Sequence, residues 1–229
     1  MENGHTVYRK TINPDLDSIT NSRPELEGAE KKVWELAECI RPVVYWADFP
    51  LKICGGNRVI LGEDALSINS FYLARGLKGF ARATLMAATI GDALPGYSDI
   101  CVREGRLWEG TVADILGSLA VDAVVRKFCR LLSTQKEDSG LYPSLRYSPG
   151  YGDWSLEDQA LILSLLDTGP EITMGPGCLL EPVKSVTVLV GWSVGLKQDI
   201  YPVGDRQKGL CQGTGSCSSC RTWACIKDR

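Results

Sequence analysis

Two groups of side chains in this sequence have the types and spacing to do chemistry. The first is the run Arg146-Tyr147-Ser148-Pro149-Gly150-Tyr151-Gly152-Asp153-Trp154. Arg146 carries a planar fork of donors that suits a carboxylate, where charge-assisted hydrogen bonds contribute roughly 1.5–3 kcal/mol each. Tyr151 offers a ring face to a cation and a hydroxyl to a proton or hydrogen-bond partner. Between them Pro149 fixes its own φ and Gly150 tolerates a positive one, so the spacing predicts a type II turn whose backbone amides can approach a ligand closely. A ligand with a carboxylate at one end and a positive centre nearby suits both side chains, and an amino-acid-like sulfonium fits that description. A plain surface turn with a solvated Arg and Tyr uses the same residues, and spacing alone leaves both readings open.

The second group is Cys211, Cys217, Cys220 and Cys225, four thiols within fifteen residues and interspersed with Gly213 and Gly215. Four thiolates suit tetrahedral zinc or an iron–sulfur cluster, and Cys217-x2-Cys220 is the specific element. The spacing matches neither the two-knuckle zinc pattern nor a ferredoxin run, so a redox-prone tail without metal stays open. His5 is the only histidine, which argues against histidine-based acid–base catalysis and His-rich metal sites. Gly55-Gly56 and Gly213-Thr214-Gly215 lack the strand-loop-helix setting of a phosphate loop and read as turns.

The chain that must position these groups has 229 residues, 44% of them hydrophobic, enough for a real core. A formal net charge of -3 supplies no general basic field, so nucleic acid and anionic membrane surfaces are not expected partners. Residues 1–5 lack the pattern of a secretory leader and the apolar run 186–196 is shorter than a bilayer span; the expected location is the cytoplasm. In that reducing compartment the nine cysteines are read as free, metal-bound or redox-active.

Periodicity gives the elements. Residues 7–12 read as a short strand. Ser22-Arg23-Pro24-Glu25 reads as a capping box opening a helix over 23–40, with Leu26, Ala29, Val33, Leu36 and Ile40 on one stripe. Residues 42–49 and 58–61 form a hairpin about Gly55-Gly56-Asn57, a helix covers 67–77, and 80–90 is the central strand. Gly91 and Pro95-Gly96 break the chain after that strand. The clearest helix covers 108–132, with Val112, Leu116, Leu119, Ala123, Val124 and Phe128 at three- and four-residue steps. Residues 135–140 read as a polar loop, 155–166 as a helix capped by Asp153 or Ser155, and 185–191 as a strand. Several strands are joined by short turns, which predicts an α+β domain over 1–205, a mixed or antiparallel sheet flanked by helices, followed by the cysteine-rich tail 206–229.

With these elements in order, the loop becomes familiar. Arg146-x-x-Pro149-Gly150-Tyr151 resembles the S-adenosylmethionine-binding loop of the activation domain of vitamin B12-dependent methionine synthase, and the longer run through Trp154, with Gln159, is still more similar to free-standing relatives of that domain. Leu73-Ala74-Arg75-x-Leu77-Lys78-Gly79 before Ala87-Ala88-Thr89-Ile90-Gly91, the long Ala/Val-rich helix, and Glu181-Pro182-x-Lys184-Ser185-Val186 resemble the family's order of elements. The resemblance spans about residues 23–194.

The resemblance implies a role in repair. When a corrinoid cobalt falls into an oxidised state, a flavodoxin- or ferredoxin-like donor supplies one electron, and S-adenosylmethionine presented by the activation domain provides the methyl group that traps the reduced metal. By position, Arg146 would hold the methionine carboxylate, Tyr151 would lie near the sulfonium and corrin face as the catalytic residue, and Ser148, Pro149 and Gly150 would contact the adenosyl part. Tyr147, Ser148 and Gly152 depart from the methionine synthase loop. No cobalamin- or folate-binding segment accompanies the domain, so cobalamin would come on a partner, a methionine synthase or another corrinoid protein. Asp48 and Glu181 are the candidates for the acid that meets the ligand amine. An electron-transfer protein with a cluster in its tail and a non-catalytic module that binds a corrinoid protein are the rival readings.

Overall fold

The computed structural model describes residues 5–20, 26–63 and 65–195. The expected capping box at Ser22–Glu25 and the thiols Cys211, Cys217, Cys220 and Cys225 lie outside the described residues. Nine strands occur among them: β1 (Tyr8–Lys10), β2 (Val43–Cys54), β3 (Arg58–Leu61), β4 (Leu66–Asn69), β5 (Arg82–Thr89), β6 (Leu141–Tyr147), β7 (Thr173–Met174), β8 (Leu180–Glu181) and β9 (Ser185–Val194). The helices are α1 (Leu16–Thr20), α2 (Glu30–Ala37), α3 (Phe71–Gly76), α4 (Ala93–Arg103), α5 (Leu107–Glu137) and α6 (Gln159–Leu165).

The main sheet runs β4-β3-β2-β5-β9-β6, with β1 added beside the first half of β2 and every pairing antiparallel. It is therefore an α+β fold with an antiparallel sheet flanked by helices, as the short connections predicted. Side chains alternate across each strand. Tyr45, Ala47 and Phe49 of β2 with Leu85 and Ala87 of β5 face one core with Leu73 of α3, Leu77 just after it and Ile162 of α6. Val44, Met86, Val188, Val190 and Trp192 face the other with Val33 of α2 and Leu116, Ala120, Val124 and Phe128 of α5. The sheet is covered on both faces, which is why its central strands are apolar at nearly every position.

Four expectations are corrected. The helix predicted over 23–40 begins at Glu30, because Gly28 takes φ +76 and its amide is held by the Glu30 carboxylate. The first three residues of the helix predicted over 67–77 belong instead to strand β4 (Leu66–Asn69), its Leu66 and Ile68 buried and Ser67 and Asn69 exposed as it pairs with β3. Only Phe71–Gly76 is helical, with the Ser70 hydroxyl accepting from the Leu73 amide as N-cap. Pro95-Gly96 does not break the chain but sits in the first turns of α4, where the proline amide would have no intrahelical partner. Helix α5 also runs on to Glu137, through the first residues of the expected polar loop.

Candidate functional site

The loop of interest leaves β6, which lies at the outer edge of the sheet. Between Pro143 and Arg146 the β6 register against β9 shifts, a bulge built by Ser144. The buried Ser144 hydroxyl accepts from the Gly191 amide at 2.8 Å and donates to the Leu145 carbonyl at 2.6 Å, standing in for ladder bonds lost at the bulge. Bulges re-aim the side chains that follow them. Here Arg146 turns toward α5 while Tyr147 turns to the opposite face, toward α3.

Among the described residues the Arg146 guanidinium meets one protein group, the Asp122 carboxylate on α5, through Nη1 at 3.1 Å. Asp122 also lies 3.2 Å from Arg126 one turn on. Side-chain exposures of 29% for Arg146 and 45% for Asp122 leave the pair open to solvent at the sheet edge. Nearby, Cys129 is half-buried, and desolvation pushes its thiol up to about 11, with only partial relief from the Arg146 charge. A raised thiol pKa favours the protonated form at neutral pH.

Tyr147 packs its hydroxyl against the backbone of Gly76 at the end of α3; a Cβ at Gly76 would sit 2.1 Å from it. Burial, and then the neighbouring Tyr72, push its phenol up to about 12. The turn itself forms as predicted: the Tyr151 amide bonds the Ser148 carbonyl at 3.3 Å, with Gly150 at φ +85 in the third position as a type II turn requires. The Gly150 amide bonds the Trp154 carbonyl at 2.9 Å, and the Trp154 amide the Tyr151 carbonyl at 3.2 Å. These closures correct one expectation, since the Gly150 and Tyr151 amides serve the loop and not a ligand. Pro149 and the Trp154 ring are buried beneath the turn, the ring donating to Asp158 at 2.9 Å, and Tyr151 is left 43% exposed at the apex. Ser148 is half-buried and Gly150 is exposed.

Asp153 does not cap the following helix. Ser155 does that, accepting from the Glu157 amide at the start of a 3-10 turn before α6. The Asp153 carboxylate reaches across to α3, where it accepts from the Ser70 hydroxyl, from the Phe71 amide at 2.8 Å and from the Tyr72 amide at 3.2 Å. Burial raises its carboxyl, but these donors outweigh that and hold it below the usual carboxylate range. Gln159 is buried and joins Thr187 of β9 to the Cys178 carbonyl in the β7–β8 hairpin, a structural use.

Neither candidate for the amine-binding acid is brought to Arg146. Asp48, Thr84, Val190 and Arg146 stand in one register row across β2, β5, β9 and β6. Three strand spacings put Asp48 about 14 Å from Arg146 along the sheet. Its carboxylate is committed to Lys136 at 2.6 Å and to the Thr84 hydroxyl. Glu181 folds against Gly175 in the β7–β8 hairpin. Among the described residues no cluster of three or more His, Cys, Asp or Glu could hold a metal ion. Asp122, Ser70 and Tyr72, which frame the loop, were not selected by sequence reasoning; an acid on a core helix and a lone N-cap serine carry no signal of a partner so distant in the chain.

No protein-family model and no curated protein matches this chain. Among solved structures it is similar to the crystal structure of the MetH reactivation domain bound to AdoHcy, with a TM-score of 0.57 over 85% of this chain and 80% of that one. At 12% identity the likeness shows a shared fold. The fold is thus an α+β architecture similar to that of this domain, an antiparallel sheet flanked by helices. No helix among the described residues is long and apolar enough to cross a membrane.

Proposed function

We propose that the chain binds S-adenosylmethionine and supports reductive methylation of a cobalamin-dependent methyltransferase in trans, with methionine synthase as the first partner to test. The observation that carries this reading is the half-exposed Arg146 on the edge strand β6, with only one arm of its fork engaged, in the segment that leads into the turn. Among the described residues only Nη1 of its fork meets the protein, so a ligand carboxylate can approach the Nε–Nη2 side without displacing Asp122. Tyr151 at the apex of the turn presents an accessible ring face to a cationic centre. The fold shared with a domain solved with AdoHcy supports the same ligand class.

The residues present fit the amino-acid end of that ligand best. Arg146 donates to the carboxylate, and Tyr151 orients the charged centre while covering it from water. Ser148 and the exposed backbone of Gly150 remain available to the adenosyl part; Pro149, being buried, supports the turn from beneath. The ligand would supply an electrophilic methyl group, the acceptor being the partner's cobalt and the electron coming from a flavodoxin- or ferredoxin-like donor. The protein's share is orientation.

The test combines the protein with a cob(II)alamin-loaded methionine synthase, a reductant and S-adenosylmethionine, followed by visible spectroscopy. The methylcobalamin spectrum should appear with the native chain and fail with Tyr151→Ala. If cobalamin stays unmethylated with the native chain while the two proteins form a tight complex, the reading as a non-catalytic binding module replaces it. The four-thiol tail favours a second reading, direct electron transfer through a cluster, which a colourless, iron-free but active preparation excludes.

A further inference from the structure

The turn that carries Tyr151 is closed on itself and rests on the buried Pro149 and Trp154, and its polar hold on α3 is concentrated in one side chain, Asp153. The first three amides of α3 are satisfied by two residues from distant parts of the chain. Ser70 takes the Leu73 amide at 2.9 Å, and Asp153 takes those of Phe71 and Tyr72 while also receiving the Ser70 hydroxyl. Ser70 is thus a relay, donating to Asp153 and accepting from α3. Next to this carboxylate, Gly152 at φ +64 lies flat on the Tyr72 ring, where a Cβ would meet ring and Cβ atoms at 3.1 to 3.4 Å. On the other side of the turn Gly150 lies against Leu156.

Each of these contacts acts on the position of Tyr151. The residue sits two places before Asp153, its carbonyl accepts from Trp154 and its amide donates to Ser148. A turn of this length fixed at Ser148 by β6 and at Asp153 by α3 has its apex defined from both ends. Without the Asp153 anchor, the apex would keep its internal hydrogen bonds and its seat on Pro149 and Trp154 but lose its polar tie to α3.

We infer that Asp153 is the positioning residue of the candidate site: by capping α3 from within the loop, it fixes the orientation of Tyr151 at the apex of the turn. This rests on the proposed ligand reading. Preorganisation of this kind lowers the ordering cost of binding and contributes no contact of its own. The carboxylate accepts through both oxygens, Oδ1 from Ser70 and Tyr72 and Oδ2 from Phe71, so Asn, which keeps one acceptor oxygen and turns a donor toward the other partner, should retain only part of the effect.

The experiment measures S-adenosylmethionine affinity by calorimetry, and amide hydrogen exchange, for the native chain, Asp153→Ala and Asp153→Asn. Asp153→Ala should bind about tenfold more weakly, with faster exchange at Gly150, Tyr151, Phe71 and Tyr72 and unchanged exchange in β5. Asp153→Asn should recover to within about threefold of the native affinity. Native-like affinity and exchange in Asp153→Ala overturns the inference. So does weak binding accompanied by faster exchange throughout β5, because that reports loss of the whole fold. Absence of binding by the native chain would instead refute the ligand reading, and the local exchange at Gly150 and Tyr151 would still decide whether Asp153 orders the loop.

Discussion

The contact between Gly76 and Tyr147 sets two effects against each other and lets the sign decide between them. Gly76 closes α3 in helical conformation, so replacing it by Ala should stabilise by about 1 kcal/mol from helix propensity alone. The structure places the new Cβ 2.1 Å from the Tyr147 hydroxyl oxygen, 2.7 Å from Cζ and 3.0 Å from Cε1. Tyr147 cannot swing away, because it is buried and its backbone is paired to Leu189 of β9. Overpacking of this kind costs typically about 1–3 kcal/mol and here acts on a rigid ring, placing it at or above the upper part of that range. The net expectation for Gly76→Ala is a loss of about 1–2 kcal/mol, or roughly 3–6 °C in Tm for a domain of this size. Thermal and urea unfolding of Gly76→Ala, Tyr147→Phe and the double variant measure it. The double variant should recover at least half of the loss, since the hydroxyl is the nearest atom. A Gly76→Ala protein as stable as the native one, or a double variant no better than the single, would refute the packing argument and with it the placement of β6 against α3.

Tyr147 also gives the chain an alkaline dependence. Burial raises its phenol from the ordinary value near 10 to about 12 in the folded state. The corresponding stability is complete below the unfolded value and is lost as pH rises through the folded one, so unfolding between pH 10 and 12 should be steeper in the native chain than in Tyr147→Phe. At the sheet edge, Asp122→Asn keeps an oxygen for Arg146 Nη1 but removes a competing charge. For a pair this exposed the gain is at most about 1 kcal/mol, so S-adenosylmethionine should bind up to about fivefold tighter while 5′-methylthioadenosine, which lacks the carboxylate, is unaffected. Weaker binding of both ligands would show that Asp122 is needed to hold the site together. In the tail, metal analysis of the native chain against Cys217→Ser/Cys220→Ser should show zinc or iron lost with the thiols; equal, near-zero metal in both would remove the metal reading of Cys211, Cys217, Cys220 and Cys225.

Much of the fold was legible because it follows local rules. The apolar runs of β5 and β9, the turn at Gly55-Gly56 and the stripe on α5 follow from alternation, turn chemistry and helical period. Errors came where a local signal had two structural uses. Pro95-Gly96 reads as a break, yet both residues fit early helical positions, and Leu66–Asn69 contains too few residues to separate helix from strand without its partner β3. The candidate site shows the same division. The turn at Pro149-Gly150 was predictable from backbone restriction, but the bulge at Ser144 that aims Arg146, the Asp122 side chain it meets and the α3 amides that receive Asp153 are set by tertiary pairing between segments far apart in sequence. Asp48 is the right type of group for a ligand amine, but the sheet register sets it three strands from Arg146 and its carboxylate is paired with Lys136.

Whether Arg146 and the turn beside it receive S-adenosylmethionine is decided by titration calorimetry on the purified chain and on Arg146→Ala. The expected result is saturable binding of one ligand per chain and a loss of about tenfold or more on Arg146→Ala, the charge-assisted bonds at stake being worth roughly 1.5–3 kcal/mol. No binding heat with the native chain, or an affinity unchanged by Arg146→Ala in a protein with native stability, would contradict the proposed site.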